Sequence, residues 1–217
     1  MFKKPKISQA FEHENNFYLS SETSRITKLI AQFKLFELSS DVTGEIIEFG
    51  VFKGASFSRL LAFRDTLGQQ HKKIIGFDTF EAFPETNLKV DSQKRKDFIN
   101  VSGEPISVDN LSELLTEKNL SNFELIKGDI LHSLPEYLSK NQDIRFSFVN
   151  LDVDIYEPSK VILENIYERV NPGGIIMLDD YTKFRGETDA VDDFFSSREE
   201  IVNDPLYDKT PFYIIKK

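Results

Sequence analysis

Short apolar runs separated by helix-length segments constrain this chain more than any other feature. Ile46-Ile47-Glu48-Phe49, Lys73-Ile74-Ile75-Gly76-Phe77-Asp78, Phe123-Glu124-Leu125-Ile126, Ile144 to Leu151, Ile175-Ile176-Met177-Leu178 and Phe212-Tyr213-Ile214-Ile215 all have strand length and little alternation. That pattern suits strands buried on both faces. Between them lie helix candidates. One opens at Ser20-Ser21-Glu22-Thr23 and carries Ile26, Leu29, Ile30, Phe33 and Leu38 at helical spacing. Others run from Ala55 through Phe63, from Val108 to Leu115, from Leu134 to Leu138, from Glu157-Pro158 to about Val170, and from about Thr188 to Ser197. Proline suits a first helical turn, and Asn171-Pro172-Gly173-Gly174 reads as a hard stop. Strand–helix alternation predicts a parallel α/β sheet with right-handed crossovers. Residues 1–20 read as an irregular polar arm and 21–217 as a single domain. Residues 84–106 read as a long loop of the kind that forms lids or acceptor-binding segments.

Charge and composition exclude several functions. The formal net charge of −9 disfavours general binding to a phosphate backbone. The absence of cysteine removes thiol nucleophiles, disulfides and cysteine zinc sites, and fits a reducing cytoplasm. No run approaches the ~18 apolar residues that span a bilayer, and the basic start at Lys3, Lys4 and Lys6 lacks the apolar stretch of a signal peptide. His13, His71 and His132 are too far apart in sequence to make a short-spaced metal pair.

Ligands of open α/β sheets bind beyond the carboxyl ends of the strands, and here every parallel strand candidate ends near an acid. The first is followed by Gly50-Val51-Phe52-Lys53-Gly54-Ala55-Ser56, with Glu48 two residues before the first glycine. This spacing is not the Gly-x-Gly-x-x-Gly that cradles a pyrophosphate, and a carboxylate beside the turn favours a cationic or hydrogen-bond-donating ligand. Without a ligand, the same residues would make a tight strand-to-helix turn. Asp78 can accept hydrogen bonds from ribose hydroxyls or cap a turn. Asp152 and Asp154 lie two apart, and Asp179-Asp180 directly follows an apolar run. If the two strands are neighbours, these carboxylates converge. Two such charges ~4 Å apart at an effective dielectric of 20 repel by about 4 kcal/mol. A proton, a lysine or a cation must relieve this, and all-oxygen ligation suits Mg²⁺, Mn²⁺ or Ca²⁺. Beside a nucleoside, such a metal can lower the pKa of a substrate hydroxyl for attack on a sulfonium methyl group.

The set resembles the class I methyltransferases, and more closely the macrocin and mycinamicin sugar O-methyltransferase family. The matching segments are Gly44 to Gly54, Gly76-Phe77-Asp78-Thr79-Phe80, Leu151 to Ser159 and Gly173 to Tyr181, in family order across roughly residues 20 to 217. The resemblance implies a three-layer Rossmann-like methyltransferase fold with a mostly parallel seven-stranded sheet and an antiparallel last strand. It implies S-adenosylmethionine and Mg²⁺, a sugar hydroxyl as acceptor, and a cytoplasmic enzyme able to form a homo-oligomer. By position it gives Glu48, Gly50 and Gly54, with Val51 and Ser56 of the same turn, to the methionine and ribose side. Asp78 and Thr79 fall at the ribose, and Asp129 and Ile130 beside adenine. Asp152, Asp179 and Asp180 become the metal set, with Asp152 also beside the cofactor and in the catalytic pair, and Asp154 the general base. Catechol-type methyltransferases, which share the metal geometry, carry a lysine near the first aspartate; the segment from Asp152 to Glu157 has none.

Two other readings compete. A nicotinamide-dependent oxidoreductase fits Asp78 but not the glycine spacing or Glu48. A non-catalytic binding module on the same fold would have no need to keep mutually repelling acids at Asp152 and Asp179-Asp180.

Overall fold

The computed structural model describes residues 4–81, 89–207 and 209–217, the side chains of residues 89 and 90 excepted. A six-stranded sheet runs in the order β3-β2-β1-β4-β5-β6. The strands are β1 (Glu45–Phe49), β2 (Ile74–Asp78), β3 (Phe123–Lys127), β4 (Phe146–Leu151), β5 (Val170–Leu178) and β6 (Phe212–Ile215). All pairings are parallel except β5 with β6. The helices are α1 (Ala10–Ser20), α2 (Thr23–Leu38), α3 (Ala55–Thr66), α4 (Lys89–Ser102), α5 (Val108–Glu117), α6 (Ile130–Lys140), α7 (Tyr156–Ile166) and α8 (Arg185–Phe195).

The sheet is buried on both sides, so its strands carry the continuous apolar runs seen in the sequence. One core joins Phe49, Ile75 and Leu151 to Leu134 of α6, Ile162 of α7 and Val191 of α8. The other joins Ile46, Ile74 and Phe148 to Leu35 and Phe36 of α2, Leu61 of α3 and Leu111 of α5. This is the expected three-layer architecture.

Several expectations are corrected. The described residues hold six strands rather than seven. Beyond β6 the sheet continues only as an antiparallel bridge between Asn203 and Tyr213, and Pro205, lacking an N–H, cannot extend a ladder there. The first 20 residues are not an irregular arm: a 3₁₀ turn (Ile7–Gln9) leads into α1, in which no residue is buried. A helix that packs nothing shows no apolar period. The segment 84–106 contains α4, while residues 84–88 lie outside the described residues. Asn171 to Gly174 ends the preceding helical stretch but belongs to β5. The register there jumps from Phe146–Val170 to Phe148–Ile175, so the four residues form a bulge within the strand. On α2 the buried residues are Ala31, Gln32, Leu35 and Phe36, while Ile30 and Leu38 are exposed.

Candidate active site

Strand register brings the candidate acids together. Phe49 pairs with Leu151 and Leu151 with Leu178, so Gly50, Asp152 and Asp179 follow three adjacent strand ends. The amide of Asp152 donates to Phe49 O at 3.0 Å, and that of Asp179 to Leu151 O at 3.0 Å. The chain departs from β1 to one side as β2 and β3 and returns on the other as β4 and β5, and such a switch point is where a ligand crevice opens. A cavity of about 350 Å³ lies there.

Of the expected cofactor residues, Gly50, Val51, Ser56, Asp78, Thr79, Asp129, Ile130 and Asp152 line this cavity; Glu48 and Gly54 do not. The two glycines are required by packing. Gly50 has φ +91°, and a Cβ there would lie 1.7 Å from the carbonyl oxygen of Asp152. Gly54 has φ +77°, and its Cβ would meet Leu111 Cδ1 at 2.4 Å. Asp78 holds the turn beside it: Oδ2 accepts the Phe52 amide at 2.8 Å and Oδ1 the Phe80 amide at 2.6 Å. Both of those residues have positive φ. The Thr79 hydroxyl also donates to Oδ1 at 3.4 Å, so the turn role leaves the second lone pair of Oδ2 as the acceptor free for a ligand. Asp129 caps α6 through Leu131 N at 2.9 Å. Glu48 sits fully buried and accepts from Asn150 Nδ2 at 2.8 Å, while its Oε2 has no partner among the described residues. Burial pushes its carboxyl up to about 7, against the nearby Ser56 hydroxyl and the Asn150 amide.

Carboxylate oxygens of Asp152, Asp154 and Asp180 lie within 4.8 Å of one another. Asp154 takes φ +64°, and its buried Oδ1 has no hydrogen-bond partner among the described residues. Burial, then the charges of Asp179 and Asp180, hold Asp152 well above the ordinary carboxylate range. Burial, then Asp180, does the same for Asp154. Burial also works against ionisation of Asp180, but hydrogen bonding from Asp154 and the charges of Lys183 and Lys28 outweigh it and hold its pKa low. Lys183 reaches Asp180 Oδ1 at 3.1 Å. Asp179 stands apart from the trio: it is ion-paired with Lys28, and Gln32 Nε2 lies 3.5 Å from its Oδ1. An unpartnered buried oxygen among three converging carboxylates fits a hard divalent cation.

Sequence reasoning missed the basic wall of this cavity. Arg25, Lys28 and Gln32 of α2 and Arg59 of α3 all line it. Arg59 donates to Gln32 Oε1 at 2.6 Å. Burial tends to lower the Lys28 pKa, but Asp179 and Asp152 outweigh this and raise it. The signal was present: positions 25, 28 and 32 share one face of a helix, beside the apolar stripe.

The profile of the family described as macrocin O-methyltransferase (TylF) matches residues 23–211. The chain belongs to this family. It is 27% identical over 163 residues to the Streptomyces olivaceus 8-demethyl-8-(2,3-dimethoxy-alpha-L-rhamnosyl)-tetracenomycin-C 4'-O-methyltransferase, covering 72% of this chain and 60% of that protein. The chain therefore spans little more than half the length of such relatives. The crystal structure of the calicheamicin methyltransferase CalS11 superposes with a TM-score of 0.79 at 26% identity, covering 95% of this chain and 85% of that one. An apo structure of CalS11, described as a TDP-rhamnose 3'-O-methyltransferase, gives a TM-score of 0.69 at 24% identity and covers 95% and 86%. No described helix is long and apolar enough to cross a membrane.

Proposed function

We propose that this chain transfers the methyl group of S-adenosylmethionine to a hydroxyl of a 6-deoxyhexose, with a divalent cation held among its strand-end carboxylates. The observation that carries the reading is Asp154: a buried carboxylate oxygen without a partner, on a residue with positive φ, facing a cavity beside the glycine turn and Asp78. Both burying that oxygen unpaired and holding that backbone cost free energy, and a ligand site explains both. The deoxysugar is inferred from the rhamnose named for the acceptors of the tetracenomycin enzyme and CalS11.

In this reading Asp78 and Thr79 hold the ribose, Asp129 and Ile130 flank adenine, and Gly50, Val51 and Ser56 border the methionyl chain, with Gly54 setting the turn and Glu48 beneath it. The acidic strand ends favour the sulfonium. Asp152, Asp154 and Asp180 would hold the cation, with Asp179 beside them on Lys28. When bound, Mg²⁺ or a similar ion would return Asp152 and Asp154 to their ionised forms and acidify a hydroxyl placed against it. Asp154 accepts the hydroxyl proton as general base. The sugar oxygen forms its bond to the methyl carbon as the carbon–sulfur bond breaks, and the sulfur keeps the electron pair as the neutral thioether. Lys28 and Lys183 hold Asp179 and Asp180 in place.

Calorimetry with S-adenosylhomocysteine tests the cofactor; no binding at millimolar ligand would sink the reading, whereas binding with no transfer to any sugar would indicate a non-catalytic module. Activity lost with EDTA and restored by Mg²⁺ tests the cation. TDP-rhamnose and a rhamnosylated aglycone, compared as acceptors, distinguish the two carriers of the sugar.

A further inference from the structure

Helix α8 begins without a cap of its own. Its N-cap position is Phe184, which offers no side-chain acceptor. The missing acceptor comes from α4, 94 residues earlier in the chain: Asp91 Oδ1 accepts the Arg185 amide at 3.0 Å and Oδ2 the Gly186 amide at 2.7 Å. Asp91 is fully buried. A buried carboxylate with both oxygens on the first amides of a helix gains hydrogen bonds and favourable dipole interaction at once.

The turn that Asp91 holds is part of the candidate site. A Cβ on Gly186 would lie 2.6 Å from Tyr156 N, so the start of α8 packs directly on the segment after Asp154. The next amide, of Glu187, donates to Asp154 O at 3.2 Å, and Glu187 Oε1 accepts the Asp180 amide at 3.2 Å. The rest of α4 reaches the cavity through one lining side chain. Phe98, two helical turns beyond Asp91, lines the cavity and packs on Phe52 with ring centroids 5.3 Å apart. Lys94 lies between them, donating to the Lys183 carbonyl with its ammonium 5.5 Å from the centre of the Phe184 ring. At the far end Lys53 donates to Ser102 O. The helix is thus pinned to the carboxylate side at one end and to the glycine turn at the other.

We propose that α4 is the acceptor-side wall of the site and that Asp91 is the positioning residue that fixes it. The role rests on the deoxysugar reading above, in which the acceptor occupies the cavity that Phe98 of α4 and Asp154 both line. Asp91 touches no reacting atom. It sets where Phe98 stands relative to Asp154, and so acts on acceptor binding rather than on cofactor binding or the transfer step.

Asp91→Asn tests this. It keeps the shape but replaces one acceptor oxygen with an NH₂ group facing an amide donor. Hydrogen–deuterium exchange should quicken about tenfold or more in α4 and at the amides of residues 185 and 186, with β1 and β4 unchanged. S-adenosylhomocysteine should bind within about twofold of the parent, and KM for TDP-rhamnose should rise about tenfold with kcat altered less than about threefold. Unchanged exchange in α4, or a loss confined to kcat, would overturn the proposal, as would parallel loss of cofactor binding with the fold intact. If Asp91→Asn loses its cooperative thermal transition, Phe98→Ala on the same helix carries the KM measurement, and an unchanged KM there would count against α4 as the wall. A parent protein that binds no S-adenosylhomocysteine would remove the methyltransfer reading, while the exchange experiment would still report whether Asp91 docks α4.

Discussion

Replacing Gly50 with alanine should be among the most damaging small substitutions in this chain, and the structure separates the reasons. At φ +91° an L-residue costs about 1–3 kcal/mol. The added Cβ would also lie 1.7 Å from Asp152 O and 2.7 Å from Asp152 C. Those are backbone atoms, tied through the Asp152 amide to Phe49 O, and cannot rotate away. Overpacking of this kind adds about 1–3 kcal/mol or more. Gly50→Ala should therefore lose about 2–6 kcal/mol, and a chain of this size should show a midpoint lower by roughly 4–24 °C. Gly68 is the control: it has φ +70°, but a Cβ there meets nothing within 4 Å. Gly68→Ala should lose only the left-handed backbone cost, about 1–2 kcal/mol. Urea unfolding of both variants, compared at constant m-value, gives the difference. If the two cost the same within about 0.5 kcal/mol, the close approach of β1's end to Asp152 is not what demands glycine, and the reasoning fails. Because the clash pushes on Asp152, the folded fraction of Gly50→Ala should also bind S-adenosylhomocysteine more weakly; Gly68→Ala should not.

Two further outcomes follow from the buried charges. Glu48 has a folded pKa of about 7 against an ordinary 4.5, so the folded protein holds a proton that the unfolded chain has released. This contribution to stability is fully present below about pH 4.5 and is lost as pH rises through 7, with an upper bound of about 3 kcal/mol. Glu48→Gln should therefore gain on the parent between pH 5 and about 8, most at the alkaline end; a pH-independent difference in unfolding free energy would contradict the assignment. Lys28→Met leaves Asp179, whose side chain is 3% exposed, without its cation, and should cost about 3–5 kcal/mol. Adding Asp179→Asn should restore most of that loss, and an additive double variant in thermal or urea unfolding would show that the pair does not matter.

Much of the sheet was readable because a strand buried on both faces has no polar alternation to interrupt its apolar run. The acids were readable for a related reason: each directly follows such a run, so strand register alone places Asp152 beside Asp179. What escaped was set by contacts between elements distant in sequence. Lys28 meets Asp179 across 151 positions, and α2's polar face means nothing until the carboxylates below it are known. Helix α4 turns its buried Asp91 toward α8, so a search for apolar periodicity passes over it. Helix α1 packs no residue, so it has no stripe to find. The glycines were visible as a turn, but their purpose was not: Gly50 makes room for the Asp152 backbone and Gly54 for Leu111.

The proposed cation makes a further prediction from the charges at the strand ends. Among the described residues, Asp152, Asp154, Asp179 and Asp180 are met by ion pairs from Lys28 to Asp179 and from Lys183 to Asp180. That leaves Asp152 and Asp154, the two whose pKa values burial and neighbouring carboxylates raise. Burial and the neighbouring carboxylates favour the protonated form of both. If the proposed divalent ion binds among them, it would favour the ionised form and release protons on binding. Mg²⁺ titrations in buffers of different ionisation enthalpy should then give heats that scale with the buffer, and the slope is the number of protons released. Asp154→Asn should reduce that slope. A heat independent of buffer would mean that the cluster is already ionised, and that the lysines of α2 and the β5–α8 turn suffice to balance it.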